Sequence, residues 1–195
     1  MINQAAATIF AGVNGAGKTT LYFLAQEKGI NLGYRVNVDE IVQSIGDYKD
    51  KKTLIRASKI ALTMRKVYTN DRLNFNQETT LCGKAILNLF KELKENNYKI
   101  NLYFIGLDSP KTAIERVKIR VNKGGHDVEP HLINKRYYES IRNLLKLMSL
   151  CDEVLIYDNT QNFELIAKIT NGVMDLQKKV NWFNNLFLEK TKSQN

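Results

Sequence analysis

The segment GVNGAGKT, residues 12–19, constrains the fold more than any other part of this chain. It matches the pattern G-x-x-x-x-G-K-[ST] at every defined position. An apolar stretch at 8–11 precedes it, and helical spacing through Leu21, Leu24 and Ala25 follows it. In a strand–loop–helix unit of this kind, glycines turn backbone N–H groups inward and the helix presents its positive end, so the segment predicts a phosphate-binding loop.

The residue types in this loop predict specific contacts with ATP and Mg²⁺. We expect the Lys18 ammonium to reach the β- and γ-phosphate oxygens and the Thr19 hydroxyl to ligate Mg²⁺. Thr20 either adds a hydrogen bond to the α-phosphate or is an inert helix residue. The expected nucleotide-binding residues are Gly12, Asn14, Gly15, Ala16, Gly17, Lys18, Thr19 and Thr20. The alternative is a glycine-rich turn without a ligand.

Strand and helix patterns alternate along the chain. The predicted strands are 8–11, 34–38, 73–77, 100–106 and 153–157, and the predicted helices are 18–28, 53–68, 84–95, 110–122 and 132–148, with 43–52 as a loop. A hairpin at 165–176 turns at Asn171 and Gly172, and a short helix at 182–188 precedes a frayed tail. This order predicts the α/β fold of P-loop NTPases, a parallel sheet with helices on both faces and a small C-terminal hairpin and helix.

The length of 195 residues fits one kinase domain over residues 1–195, with a lid region at about 109–148 and a C-terminal extension at about 163–195. Lys and Arg exceed Asp and Glu by 29 to 20, which favours anionic ligands. Nucleic acid is disfavoured, because no basic segment is interleaved with aromatic residues and no known binding module is visible. No apolar run is long enough for a membrane span, and no secretory signal is visible. Two cysteines without metal-ligand spacing are typical of the cytoplasm.

Two carboxylates follow predicted strands, at the sheet edge where open α/β sheets bind ligands. Asp39 is our candidate for the general base that accepts the proton of an attacking hydroxyl. Glu78 is expected to hold a Mg²⁺-bound water or an acceptor hydroxyl, and Thr79 and Thr80 offer further hydrogen bonds. The alternatives are that Asp39 or Thr80 merely caps a helix.

The helix predicted from Pro110 carries Arg116, Arg120 and Lys123 on one stripe. Arginine side chains can stabilise the charge that develops on a transferring phosphoryl group, and we expect Arg120 and Arg136 to do so and Arg116 to contact substrate. A solvated basic stripe is the alternative, which we prefer for Lys123. His126 either contacts the acceptor or braces its loop.

Taken together, the motifs resemble the zeta toxin family of P-loop kinases, particularly shorter bacterial members similar to UDP-N-acetylglucosamine kinases. The likeness extends over about residues 7–160. The motifs that carry it are GVNGAGKTT, NVDEI from Asn37, QETTLCG from Gln77, IERVKIRVNKGGHDV from Ile114, KRYYESIRNL from Lys135 and IYDNT from Ile156.

The resemblance implies a Mg·ATP-dependent kinase that phosphorylates the sugar of a UDP-amino sugar, with an antitoxin protein as a partner. Lys18 falls on the family's phosphate lysine, Asp39 on its base, Glu78 on its acid after the third strand, and Arg120 and Arg136 on its lid arginines. Two other functions stay open: a P-loop kinase of another small molecule or nucleotide, and an ATP-gated module that binds a protein partner.

The chain departs from the family pattern at three places. Cys82 stands where serine is usual, Glu129 and Pro130 stand in reversed order, and Asn74 and Asn76 replace apolar residues. These changes leave the phosphate loop intact and put the identity of the acceptor in doubt.

Overall fold

The computed structural model describes residues 4–185. The strands are β1 Ala6–Ala11, β2 Tyr34–Val36, β3 Phe75–Thr79, β4 Lys99–Gly106, β5 Glu153–Asp158, β6 Glu164–Thr170 and β7 Val173–Leu176. The helices are α1 Lys18–Glu27, α2 Val38–Ile45, α3 Lys51–Asn70, α4 Lys84–Glu95, α5 Pro110–Asn122 and α6 Pro130–Leu147, and a 3₁₀ turn at Met148–Leu150 follows α6.

The strands form one sheet in the order β2-β3-β1-β4-β5-β6-β7. The first five strands in this order pair in parallel and the last two add an antiparallel hairpin, as predicted. From β1 to β2 the chain moves along the sheet in one direction, and from β2 onward it moves in the other. Because crossovers are right-handed, α1 covers one face and α3, α4 and α6 cover the other.

Both faces of the central strands are buried. Ile9 and Phe10 of β1 and Leu102 of β4 are fully inaccessible to solvent. Strands that are buried on both faces read as continuous apolar runs, which is why β1 and β4 could be predicted from sequence. The carboxyl ends of these strands therefore form a rigid edge on which the loops are built.

The boundary between α2 and α3 differs from the prediction. The second strand ends at Val36 rather than at residue 38, α2 continues to Ile45, and α3 already begins at Lys51, so the loop predicted at 43–52 is restricted to 46–50. Asp50 caps α3, since its carboxylate accepts hydrogen bonds from the backbone N–H groups of Lys52 and Thr53. The predicted loop was too long because these polar residues are capping and first-turn residues of helices.

The third strand lies two residues later than predicted, at Phe75–Thr79. Two asparagines in and beside this strand are accommodated because their side-chain amides are hydrogen-bonded. Asn76 is fully buried; its amide donates to the carbonyl oxygen of Leu32 at 3.1 Å and its oxygen accepts from Arg35 at 3.3 Å. The Asn74 oxygen accepts from the backbone N–H of Ala6 at 2.9 Å. The two amides therefore join β3 to the neighbouring segments of chain.

The C-terminal part of the described chain packs against the carboxyl end of β4. Residues 181–185 are helical, and the remainder of the helix predicted at 182–188, like the predicted frayed tail, lies outside the described residues. A Cβ atom at Gly106 would lie 2.1 Å from the Trp182 ring, so only glycine fits there. Across residues 4–185, no helix combines the length and the apolar character that a membrane span requires.

We expect Asn76→Leu to lower the free energy of unfolding by about 1–3 kcal/mol, because it leaves the Leu32 carbonyl and an Arg35 N–H group buried without this partner. Chemical denaturation measures the change. The matched control is Asn70→Leu at an exposed position at the end of α3, for which we expect a change within about 0.5 kcal/mol. Equal effects of the two substitutions would contradict the structural role of Asn76.

Candidate active site

The loop 12–19 leaves β1 and turns directly into α1. Gly17 is the N-cap of α1 and has left-handed backbone angles, φ 98° and ψ 28°. A Cβ atom at Gly15 would lie 2.8 Å from the carbonyl oxygen of Ala113, so α5 contacts the loop backbone there. Asn159, which follows β5, donates to the carbonyl oxygen of Ala16 at 2.8 Å. The loop is thus held from α5 and from the end of β5.

The Lys18 ammonium lies within this loop. It donates to the carbonyl oxygens of Gly12 and Val13 at 3.0 and 3.2 Å. Burial lowers the pKa of Lys18, while the nearby carboxylates of Glu78 and Asp39 act in the opposite direction. The charge of Lys18 therefore lies beside both carboxylates that the sequence singles out.

Glu78 is the centre of a polar cluster between α1 and β2. One carboxylate oxygen accepts from the Thr19 hydroxyl at 2.9 Å, and the other accepts from Arg35 at 2.5 Å and from the Asn37 amide at 3.2 Å. Arg35 also pairs with Glu40 at 2.6 Å, and its guanidinium carbon lies 3.5 Å from the centre of the Tyr22 ring. These contacts hold Glu78 in place.

Arg35 was not among the predicted site residues, although its position in the sequence carries a signal. An arginine in a three-residue strand directly before NVDE must direct its side chain to one face of the sheet, and β3 supplies Asn76 and Glu78 there. Hydrogen bonds to Glu40 and Glu78 raise the pKa of Arg35, although burial alone lowers it.

Asp39 lies in the first turn of α2 with an exposed side chain. The alternative that it caps this helix is wrong, because Asn37 is the N-cap and accepts from the backbone N–H of Asp39 at 2.9 Å. Thr80 is likewise not a cap, since α4 has Gly83 at its N-cap. The Thr79 hydroxyl accepts from the backbone N–H of Leu81 at 3.0 Å, which shapes the turn after β3.

The three arginines singled out by the sequence make different contacts. Arg116 donates to the carbonyl oxygen of Thr160 at 3.0 Å, Arg136 donates to the Asn14 side chain at 3.0 Å, and Arg120 donates to the carbonyl oxygen of His126 at 2.5 Å. Within residues 4–185, the buried Nε of Arg120 has no hydrogen-bond partner. Lys123 is exposed at the end of α5, as expected of a solvated residue.

His126 connects its own loop, between α5 and α6, to the loop 46–50. Its ring stacks on Tyr48 with centroids 4.4 Å apart and planes at 22°, and the Tyr48 hydroxyl donates to the carbonyl oxygen of Asp39 at 2.9 Å. Burial lowers the pKa of His126, with Asp39 opposing and Arg120 reinforcing this shift, so the ring is neutral at pH 7. The sequence did not single out Tyr48, because only the fold brings the loop 46–50 to His126.

One cavity of about 880 Å³ collects these groups. It is lined by the predicted residues Asn14, Gly15, Gly17, Lys18, Thr19, Thr20, Asp39, Glu78, Thr79, Thr80, Arg116, Arg120, His126 and Arg136. Gly12 and Ala16, the other two predicted residues of the phosphate loop, do not line the cavity, and both are buried. This volume is near the upper end of the roughly 300–1,000 Å³ that is usual for small-molecule sites.

The donor set around Thr19 suits Mg²⁺. One hydroxyl and one carboxylate, with phosphate oxygens completing the shell, form the kind of oxygen site that Mg²⁺ prefers. Among residues 4–185 there is no cluster of three or more His, Cys, Asp and Glu side chains that would hold a metal ion by themselves. The residues present therefore fit a metal that arrives with a nucleotide.

We expect the Tyr48–His126 stack to contribute a coupling free energy of about 0.5–1.5 kcal/mol, the range of aromatic pairs. A double-mutant cycle of Tyr48→Ala and His126→Ala, followed by chemical denaturation, measures it. A control cycle pairs His126→Ala with Phe23→Ala on α1, and its effects should add. Additive effects in the Tyr48 cycle would show that the stack does not join the two loops.

Comparisons with known proteins agree with this geometry. The model of the zeta toxin family matches residues 3–170. A Haemophilus influenzae protein described as uncharacterized is 28% identical over 136 residues, which cover 70% of this chain and 95% of that protein. The family model and the nucleotide-binding fold support an ATP-dependent phosphotransferase.

Solved structures share the fold at low sequence identity. The AvrRxo1-ORF1:AvrRxo1-ORF2 structure with sulphate ions gives a TM-score of 0.72 at 14% identity, covering 96% of this chain and 63% of that chain. The PezAT toxin–antitoxin system of Streptococcus pneumoniae gives a TM-score of 0.64 at 16% identity, covering 97% and 86%. The chain thus spans less than two thirds of the AvrRxo1-ORF1:AvrRxo1-ORF2 chain that it matches.

Proposed function

The chain belongs to the zeta toxin family, and from this premise we propose that it is a kinase that transfers the γ-phosphoryl group of ATP to a hydroxyl group of a small acceptor. The observation that carries the proposal is the shared cavity, in which the phosphate-loop lysine Lys18, the carboxylate of Asp39 and the lid arginines Arg120 and Arg136 all lie. Phosphoryl transfer depends mainly on positioning and charge stabilisation, and these groups supply both.

The nucleotide lies, in this proposal, with its phosphates on the loop 12–19. The backbone N–H groups at the start of α1 and the Lys18 ammonium bind the phosphate oxygens. Thr19 and Glu78 are the residues that would hold Mg²⁺, which supplies charge neutralisation for the phosphates when it is bound. An AvrRxo1-ORF1:-ORF2 structure with ATP shares the fold, with a TM-score of 0.67 at 13% identity and coverage of 96% of this chain and 63% of that chain.

The chemical step requires a base and a cationic clamp. The Asp39 carboxylate accepts the proton of the acceptor hydroxyl as its oxygen bonds to the γ-phosphorus, and the bond to the leaving ADP oxygen breaks. Arg120 and Arg136 line the cavity and stabilise the negative charge on the transferring group. Arg35 pairs with Glu78 at 2.5 Å and so orients its carboxylate.

We propose a UDP-amino sugar such as UDP-N-acetylglucosamine as the acceptor, on the resemblance of NVDEI, QETTLCG and the GGHDV segment to the corresponding kinases. A nucleotide or another small alcohol is the second candidate. We further propose an antitoxin protein as a partner, because the PezAT structure is described as a toxin–antitoxin system. Action in the cytoplasm remains our prediction.

We expect Asp39→Asn to lower kcat by roughly 10²–10⁴-fold while ATP binding is retained, because the amide cannot accept the hydroxyl proton. Transfer of labelled γ-phosphate to UDP-N-acetylglucosamine measures kcat, and calorimetry with Mg·ATP measures binding. The control is Asp71→Asn, an exposed aspartate at the end of α3, which should leave both quantities unchanged. Wild-type turnover in Asp39→Asn would exclude Asp39 as the base.

The same assay separates the alternatives. A panel of nucleosides, nucleotides and alcohols followed by mass spectrometry identifies a different acceptor. ATP hydrolysis that a protein partner stimulates, without any phosphorylated small molecule, would instead support an ATP-gated binding module. Lys18→Met should remove nucleotide binding in every case, because the loop loses its one side-chain cation.

A further inference from the structure

The cavity continues beyond the phosphate loop, over the carboxyl end of β3 and onto the side of α3. Its wall there is apolar except for three polar side chains. The apolar residues are Leu54, Ala61, Leu62, Ala85 and Ile86, and the polar ones are Ser58, Arg65 and Gln77. This end of the cavity has one cationic group, Arg65, and no carboxylate.

The Arg65 side chain is partly buried and has few hydrogen-bond partners in the part of the chain that the structure describes. Its one hydrogen bond goes to Gln77 Oε1 at 3.4 Å, and among residues 4–185 it makes no ion pair. Burial lowers the pKa of Arg65 and the carboxylate of Glu92 acts against it, yet an arginine still keeps its charge at pH 7. Glu92 makes no ion pair with Arg65, and removing a cation from water without a paired carboxylate is costly, so a directly bound anionic partner is expected.

Arg35, in the same protein, is an arginine whose charge is balanced by carboxylates. Its side chain is largely buried, and it pairs with both Glu40 and Glu78. Helix α3, in contrast, carries six basic residues and no acidic one in its sequence KKTLIRASKIALTMRKVYTN. The helix therefore provides no counter-charge for Arg65.

Arg65 also lies on the opposite face of the sheet from α1 and Thr19, where the phosphates of ATP would bind in the proposed function. Adjacent residues of a strand point to opposite faces. Glu78 bonds to Thr19 of α1 on one face, whereas Gln77 bonds to Arg65 of α3 on the other. An anionic group at Arg65 therefore belongs to the second substrate, because the anionic groups of ATP are its phosphates.

We propose that Arg65 is the residue that binds the anionic group of the acceptor, a phosphate or a carboxylate of a hydroxyl compound. This inference rests on the proposed kinase function and assigns to Arg65 the recognition of that group. The planar guanidinium donates two parallel hydrogen bonds to either anion, while Leu54, Ala61 and Leu62 pack against an apolar part of the molecule.

The test compares Arg65→Met with Arg56→Met, which removes an exposed cation of α3 that does not line the cavity. Three acceptor probes are used: UDP-N-acetylglucosamine with a diphosphate, glucuronate with a carboxylate, and neutral N-acetylglucosamine. Steady-state kinetics give KM for each acceptor and for ATP. Calorimetry in the presence of a non-hydrolysable ATP analogue gives acceptor affinity without turnover.

We expect Arg65→Met to weaken binding of an anionic acceptor and raise its KM by about 10- to 100-fold, with KM for ATP unchanged and Arg56→Met equal to wild type. Arg65→Lys should recover part of the loss, since it restores the charge but not the two-pronged geometry. Preference of the wild type for the diphosphate or for the carboxylate identifies the anion.

Several results would overturn the inference. Equal use of the neutral sugar, an unchanged KM in Arg65→Met, or no binding of either anionic probe would each remove the role of Arg65. Transfer to a neutral alcohol would also exclude the proposed role of Arg65, but it would support the kinase function. Binding of anionic probes that depends on Arg65, without transfer to any acceptor, would instead contradict the kinase function and retain the anion site.

Discussion

The backbone of the phosphate loop is in close contact with three other segments, and the site depends on this packing. A Cβ atom at Gly12, Gly15 or Gly17 would lie 2.4 Å from the Ile105 carbonyl oxygen, 2.8 Å from the Ala113 carbonyl oxygen and 2.7 Å from the Asn159 amide nitrogen, respectively. Glycine removes these steric conflicts. The loop is therefore positioned by β4, α5 and the segment after β5. These contacts fix the wall of the cavity that the loop forms.

Charge balance organises the rest of the cavity. Lys18 lies beside Glu78 and Asp39, and Arg35 fixes Glu78 from the side of β2. Arg116, Arg120 and Arg136, in contrast, bond to neutral groups, namely backbone carbonyls and the Asn14 side chain. Neutral partners release a cation at less cost than a carboxylate does, so these arginines remain available for the charge of a substrate.

Local signals explain which features could be predicted from sequence. The phosphate loop, strand β4 and helix α5 with its Ser109 cap and Pro110 each have their pattern within a few consecutive residues. The limits of β2, α3 and β3 were less accurate, because asparagine and aspartate occur in loops, caps and buried strands alike. The role of Tyr48 could not be predicted, since its partner His126 approaches only through the fold. Arg35 had a signal in its position on β2, but its bond to Glu78 depends on the pairing of β2 with β3. The functional roles of the predicted site residues remain proposals.

Trp182 is the sole tryptophan of the chain, and its position gives the molecule an internal optical reporter. Its indole N–H donates to Asp158 at 2.9 Å and its ring covers Gly106, while the next residue after Asp158, Asn159, holds the phosphate loop. Any rearrangement of that loop that shifts the end of β5 changes the surroundings of the indole. Intrinsic emission therefore follows events at the loop without an attached dye.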